Sequence, residues 1–244
     1  MKYRCDFHVH SALSPCADDD MTPFNIVNMA KLAGLDVIAI TDHNTAGNCF
    51  AAEAEGKKIG LVVLSGLELE TSEEVHVVLL FSSAEKAQAC SDEVATRRIR
   101  IQNRPEVFGS QLYMGENDEI LGEEPDLLIT ATTISVTEVT ALAKRHGGIA
   151  FPAHVDRPAH GILQMLGEID ETLGFTVVET SKNATEDFIY ELEKRYKVIR
   201  DSDAHRLEDV NEEQVNFLEL DELTPDGVIE KLGKDKITYK ENNV

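Results

Sequence analysis

Six of the eight histidines in this chain begin or end short apolar runs of the kind that become β-strands. Asp6-Phe7-His8-Val9-His10-Ser11 comes first. Thr41-Asp42-His43-Asn44 follows Val37-Ile38-Ala39-Ile40, and Gly66-Leu67-Glu68 follows Leu61-Val62-Val63-Leu64. His76 precedes Val77-Val78-Leu79-Leu80-Phe81, Ala153-His154 follows Ile149-Ala150-Phe151-Pro152, and Asp201-Ser202-Asp203-Ala204-His205 follows Val198-Ile199. Apolar runs without alternation mark strands buried on both faces, as in a parallel sheet covered by helices. In such α/β folds the functional groups gather beyond the strand ends, on one rim. Residues i and i+2 of a strand point the same way, so His8 with His10, and Asp203 with His205, each offer two ligands from one strand end. Neutral imidazole combined with carboxylate suits zinc, iron or manganese, and two or more such ions side by side suit phosphoryl hydrolysis.

The spacing between the runs supplies the rest of the fold. Thr22-Pro23 reads as an N-cap with a first-turn proline, followed by an apolar face of Phe24, Ile26, Val27, Met29, Ala30 and Ala33. Only seven residues separate Glu68 from His76, whereas a parallel crossover needs a dozen or more. That link is expected to be a hairpin that returns His76 to the rim of Glu68. Residues 83–104 read as one long helix with Arg97, Arg100 and Arg104 on a single stripe and Glu93 paired to Arg97. The stripe is either a solvated face or a lid over substrate. A small hairpin is expected at 113–121, so residues 84–134 are set apart as a helix-hairpin insertion within one domain spanning 1–244. Ser135 caps a helix closed by Gly147-Gly148, and His146 reads as a cation at its C-terminal end. Further strands are expected at 176–179, 215–220 and 237–239, with helices at 161–167, 185–196 and 224–232.

Charge and cysteine content narrow the classes. A formal net charge of −22 argues against a long nucleic-acid partner, which would be held by clustered Lys and Arg. A small anionic substrate stays open, because bound ions become the largest local charges. No run of about 18 apolar residues offers a membrane span. The charged start, Met1-Lys2-Tyr3-Arg4-Cys5-Asp6, leaves no room for a signal peptide, so a cytoplasmic protein is expected. Cys5, Cys16, Cys49 and Cys90 make no CxxC pair, and neither disulfides nor a thiolate zinc site is expected. Cys16 lies near the ligand loop, but an aspartate stands two residues on.

His8-Val9-His10-Ser11, Asp18 with Met21-Thr22-Pro23, Thr41-Asp42-His43-Asn44, Gly66-Leu67-Glu68, His76, Ala153-His154 and Ser202-Asp203-Ala204-His205 together resemble the PHP (polymerase and histidinol phosphatase) superfamily. The resemblance implies a distorted seven-stranded, TIM-like β/α barrel with a trinuclear metal site. It implies one ion on His8, His10, Glu68 and Asp203, a second on Glu68, His76 and His154, and a third on Asp18, His43 and His205. The stretch from His10 to Asp18 is longer than in many relatives, which leaves Asp19 and Asp20 as competitors of Asp18.

The implied chemistry is attack on phosphorus by a metal-bound hydroxide, with no protein nucleophile. Asp42 and Asp201 would fix imidazole tautomers. Arg157 would clamp a phosphate through its guanidinium, Lys182 is a similar candidate, and His160 could protonate the leaving group. The function expected is a phosphoesterase acting on a small phosphate monoester or short nucleotide. An oligonucleotide 3′-exonuclease and a non-catalytic, metal-bound regulatory module are the alternatives. Oligomeric state has no signature in the sequence.

Overall fold

A computed structural model describes residues 1–211 and 216–234. In chain order the elements are β1 (Lys2–Val9), α1 (Pro23–Leu32), β2 (Val37–Ile40), α2 (Cys49–Ile59), β3 (Val62–Glu70), β4 (His76–Phe81) and α3 (Ala84–Ala95). There follow α4 (Pro105–Phe108), β5 (Leu112–Met114), β6 (Ile120–Glu123), α5 (Val136–Arg145), β7 (Ile149–Pro152) and α6 (Ile162–Leu166). The last are β8 (Val177–Glu179), α7 (Glu186–Glu193), β9 (Lys197–Ile199), β10 (Asn216–Glu219) and α8 (Pro225–Lys234). The strand expected at 237–239 lies outside the described residues.

Six strands form one curled sheet in the order β10-β1-β2-β3-β4-β7. β1, β2 and β3 run parallel, whereas β3 with β4, β4 with β7, and β1 with β10 are antiparallel. The short link from Glu68 to His76 is therefore a hairpin, as its length requires. β8 and β9 form a separate parallel pair. That pair stands between the two sides of the curl: Val155 N donates to Glu179 O, and His10 N donates to Ala204 O, each at 2.9 Å. Among the described residues the expected barrel takes the form of a six-stranded curled sheet with a two-stranded parallel pair beside it. β7, β8 and β9 are only three or four residues long, and isolated backbone bonds, not ladders, join the pair to the chain after β7 and after β1.

Alternation along the strands divides the core. Ile38 and Ile40 join Ile26, Val27 and Ala30 of α1 on the outer face. Val37 and Ala39 face inward with Phe7, Leu64, Leu80 and Phe151, and Val228 and Leu232 of α8 pack against them. Truncating a fully buried phenylalanine such as Phe7 or Phe151 would cost about 3–5 kcal/mol.

The long helix expected over 83–104 stops at Ala95. Thr96 Oγ1 donates back to Glu93 O, and β-branched Ile99 and Ile101 continue in extended chain, where Arg98 and Gln102 bridge to Thr132 and Asp126. No arginine stripe forms. Arg97 pairs with Glu138 at 3.2 Å, while Glu93 takes Arg145 and His146. His146 caps α5 and sets Nε2 2.9 Å from Glu93 Oε2.

The β5–β6 hairpin and the turn after α4 lean on the loop that follows β1. Leu112 N donates to Ala12 O at 2.8 Å, and Asn48 ties Ser11 Oγ to Leu112 O and Met114 N. Gly109 has φ +104°, and a Cβ there would overlap the carbonyl oxygen of Pro15. Among the described residues, no helix is long and apolar enough to cross a membrane.

Candidate metal centre

Glu68, buried on β3, is the hub of the rim. Its Oε1 lies 2.9 Å from His76 Nδ1, 3.2 Å from His154 Nε2 and 3.5 Å from His8 Nε2. Its Oε2 lies 3.1 Å from His43 Nδ1 and 3.4 Å from His10 Nε2. Asp203 Oδ1 stands 3.1 Å from His10 Nε2 and 3.4 Å from His8 Nε2. The His205 ring stacks on that of His10 with centroids 4.3 Å apart. Eight of the nine candidate ligands therefore converge: His8, His10, His43, Glu68, His76, His154, Asp203 and His205. Strand geometry explains most of this. β1 carries His8 and, one residue past its end, His10, and a parallel bridge between His43 and Glu68 carries the β2–β3 pairing beyond β2. His154 and Asp203 reach the rim through left-handed backbone, φ +29° and +50°. Such conformations cost on the order of 1–3 kcal/mol each for residues with a Cβ and concentrate at functional sites.

The donor set fits divalent ions. Nδ1 of His43, His76 and His154 is buried without a hydrogen bond, although Glu68 oxygens lie close to the first two outside hydrogen-bonding geometry. Imidazole and carboxylate lone pairs that face one another in a buried space are suited to sharing a cation.

Charge within the cluster is unevenly distributed. Burial works against a proton on His8, but Glu179, Asp203 and Glu68 outweigh it and push the pKa well up. Burial likewise opposes charge on His76, and Glu68 overrides it to give about 9. His10 goes the other way, to about 4, through burial and the nearby His205. Glu68 is desolvated, yet His76, His8 and His43 hold it well below the carboxylate range.

At pH 7 the metal-free centre therefore carries a proton on His76, and Glu179 favours one on His8, which ligation must displace. We expect zinc addition at pH 7 to release protons, measured by calorimetry in buffers of different ionisation enthalpy. The His76 contribution should make affinity climb with pH by about tenfold per unit up to about 9 and then level. The sign for metal-free stability is opposite. The Glu68–His76 attraction is fully present below the unfolded histidine pKa and is lost as pH rises through about 9.

Two supports behind the ligands differ from expectation. Asp42 does not touch the His43 ring. Its carboxylate accepts from Ser11 N (2.7 Å), Ser11 Oγ (2.6 Å) and Ser14 Oγ (2.7 Å), and Ser14 Oγ in turn meets His10 Nδ1 at 3.0 Å. It steers His10 through Ser14, because the chain after His10 doubles back over Asp42. Asp201 touches no imidazole either, accepting instead from Phe7 N and Asn216 Nδ2. The residue that holds His8 is Glu179 at the end of β8, with Oε2 2.8 Å from His8 Nδ1. Its only sequence signal is an acidic residue closing an apolar run.

Asp18 is not part of the cluster. Its side chain is 58% exposed and faces Arg206, with 3.7 Å between Oδ2 and Nε. Asp18 N donates to His205 O and Asp18 O accepts from Met21 N, a turn that directs the carboxylate outward. Asp19 and Asp20 are exposed as well. Cys16, disfavoured in the sequence, lines the cavity instead.

That cavity, of about 270 Å³, also takes in Arg157 and His160. Arg157 is half-exposed and pairs with Asp203 Oδ2 at 2.6 Å. His160 stacks on His76 at 4.3 Å, and its Nδ1 donates to Glu74 O at 3.1 Å, which leaves Nε2 to accept a proton. Lys182 lines a smaller adjoining cavity shared with Arg157 and Asp203.

A family model described as the PHP domain matches residues 6–173, more than half of the chain. A 5′-3′ exoribonuclease from Haemophilus influenzae is 32% identical over 81 residues, 32% of this chain and 28% of that one. The lesion-specific endonuclease Q of Pyrococcus furiosus superposes with a TM-score of 0.70 at 19% identity, over 97% of this chain and 58% of that chain. An endonuclease Q complex with a 27-mer duplex bearing an abasic lesion gives 0.71 at 17% identity, over 98% and 58%. The chain thus spans less than a third of the exoribonuclease and little more than half of the endonucleases.

The duplex complex corrects one expectation. Net charge argues for a small phosphorylated partner and against a long nucleic acid, yet endonuclease Q has this fold and its complex holds duplex DNA. A whole-chain charge sum does not describe the field at one rim, where cationic groups such as Arg157 and Lys182 stand. With one family model matching from β1 to beyond β7, the chain belongs to the PHP-domain family of metal-dependent phosphoesterases.

Proposed function

We propose that this centre hydrolyses phosphodiester bonds of a nucleic-acid strand. The observation that carries the proposal is Glu68 facing five imidazoles at 3.5 Å or less, the arrangement of a carboxylate shared between neighbouring ions. His8, His10, Glu68 and Asp203 would hold one ion, Glu68, His76 and His154 a second, and His43 and His205 part of a third. Bound divalent ions supply Lewis acidity toward phosphoryl oxygens and lower the pKa of water.

The remaining work falls to the chain's own groups. Glu179 and Ser14 keep the His8 and His10 rings in one tautomer and orientation. Arg157 stands where three cavities meet: the histidine-lined one, the small one with Lys182, and a groove of about 470 Å³ lined by Asn183 and Phe188. A guanidinium there can grip a phosphate while the strand continues into the groove, with Phe188 available to stack a base. This continuity favours a strand over an isolated phosphate. His160, with its Nδ1 proton committed to Glu74 O, offers Nε2 for proton transfer.

The test is the manganese- or zinc-reconstituted chain assayed on end-labelled single-stranded DNA and RNA, an abasic duplex, a generic aryl phosphodiester and nucleoside monophosphates. Cleavage of strands is the expected result, and turnover confined to monoesters would overturn the proposal. In the same assay Arg157→Ala should lower kcat/KM by about 10²-fold while bound metal stays constant.

A further inference from the structure

We infer that Cys16 is a thiolate ligand of one ion, in the place that the resemblance gives to Asp18. The inference rests on the metal-centre reading and adds a ligand to it. Cys16 Sγ and one ring nitrogen each of His10, His43 and His205 all lie within 4.8 Å of one another. Tetrahedral zinc with sulfur and nitrogen ligands sets neighbouring donors about 3.3–3.6 Å apart, so adjustments of about an ångström bring Cys16, His43 and His205 onto one ion.

The rings are already oriented. His205 Nδ1 donates to Asp203 O at 2.8 Å, which leaves its Nε2 as the ligating atom. His10, whose Nδ1 meets Ser14 Oγ, turns Nε2 toward Glu68 and Asp203 and belongs to the neighbouring ion. His43 is buried, and its Nδ1 makes no hydrogen bond.

The loop that carries Cys16 is fixed as well. Ser14 N donates to Ser11 O and Ala17 N to Ser14 O, Asp42 clamps both serines, and Gly109 backs the Pro15 carbonyl. The other three cysteines are buried in apolar clusters, and Cys16 alone of the four is exposed. On ligation the thiol gives its proton to solvent and a sulfur–metal bond forms, with no change of oxidation state. A soft sulfur donor in this position selects zinc or iron(II) over manganese.

The experiment uses the full chain stripped with chelator and reloaded with cobalt(II) or zinc. Wild type should show a near-ultraviolet thiolate-to-cobalt absorption that Cys16→Ser and Cys16→Asp both lack. Cys16→Ser should retain one equivalent of metal fewer than wild type. Cys16→Asp should restore that equivalent without the absorption and shift preference toward manganese. Zinc should slow alkylation of Cys16 by iodoacetamide at least about tenfold, because a bound thiolate is a poor nucleophile. A wild-type chain that retains its ions yet shows no such absorption, with Cys16 alkylated at the metal-free rate, would overturn the inference and leave the metal centre standing. A wild-type chain that retains no metal would overturn both.

Discussion

Glu68→Gln is expected to remove bound metal and to lower phosphodiester turnover by about 10³-fold or more, while the chain still folds. The substitution keeps the side-chain volume inside a cluster where five imidazoles approach within 3.5 Å, so packing is conserved. What it deletes is the negative charge. An amide presents a single acceptor oxygen and two N–H donors, which would point at ring nitrogens and repel a cation. Loss of the charge also removes the main support for a proton on His76 and a lesser one, after Glu179 and Asp203, on His8, so fewer protons should appear when zinc is added. Metal analysis after gel filtration, turnover and thermal melting separate these effects. A Glu68→Gln chain that holds its full metal complement at wild-type affinity would contradict the shared-carboxylate reading.

Asp42→Ala should act on the fold and the centre together. Three donors, Ser11 N, Ser11 Oγ and Ser14 Oγ, lose an acceptor within 2.7 Å in residues that are fully buried from bulk solvent. Donors left unpaired in this way cost about 1–3 kcal/mol each, and relaxation of the serine hydroxyls brings the sum to roughly 3 kcal/mol. For a chain of this size that corresponds to a melting temperature lower by roughly 6–12 °C. Ser14 would also release His10, and metal affinity should fall about 10–100-fold. Asp42→Asn, which retains one acceptor oxygen, should fall between. Calorimetric melting with and without zinc measures both changes. Wild-type melting together with wild-type affinity would show that the serine clamp does not steer His10.

Most of the rim was legible because each ligand type sits at the end of an apolar run, where pattern and chemistry coincide. The link from Glu68 to His76 was the sharpest case: seven residues permit only a return, and the return sets His76 Nδ1 2.9 Å from Glu68. The misreadings occurred where local pattern imitates another element. Glu93, Arg97, Arg100 and Arg104 have helical spacing, but Thr96 bonding back to Glu93 ends α3, and Ile99 and Ile101 favour extended chain. The resemblance points to Asp18, whereas a turn anchored on His205 O directs that side chain outward and Cys16 lines the cavity. Glu179 and Ser14 belong to no motif. Their role comes from tertiary approach across 171 and 4 residues respectively, the first of which spacing cannot reveal.

The support given to the early loop by Gly109 and Leu112 bears on the order in which the molecule matures. The loop near residue 15 takes its shape from chain almost a hundred positions downstream, and Asp203 lies almost another hundred beyond. Contacts so distant along the polymer form late, since closure entropy is met before they contribute. Ion capture by a growing polypeptide would therefore wait until synthesis has passed position 205, when the first and last ligand-bearing segments can meet.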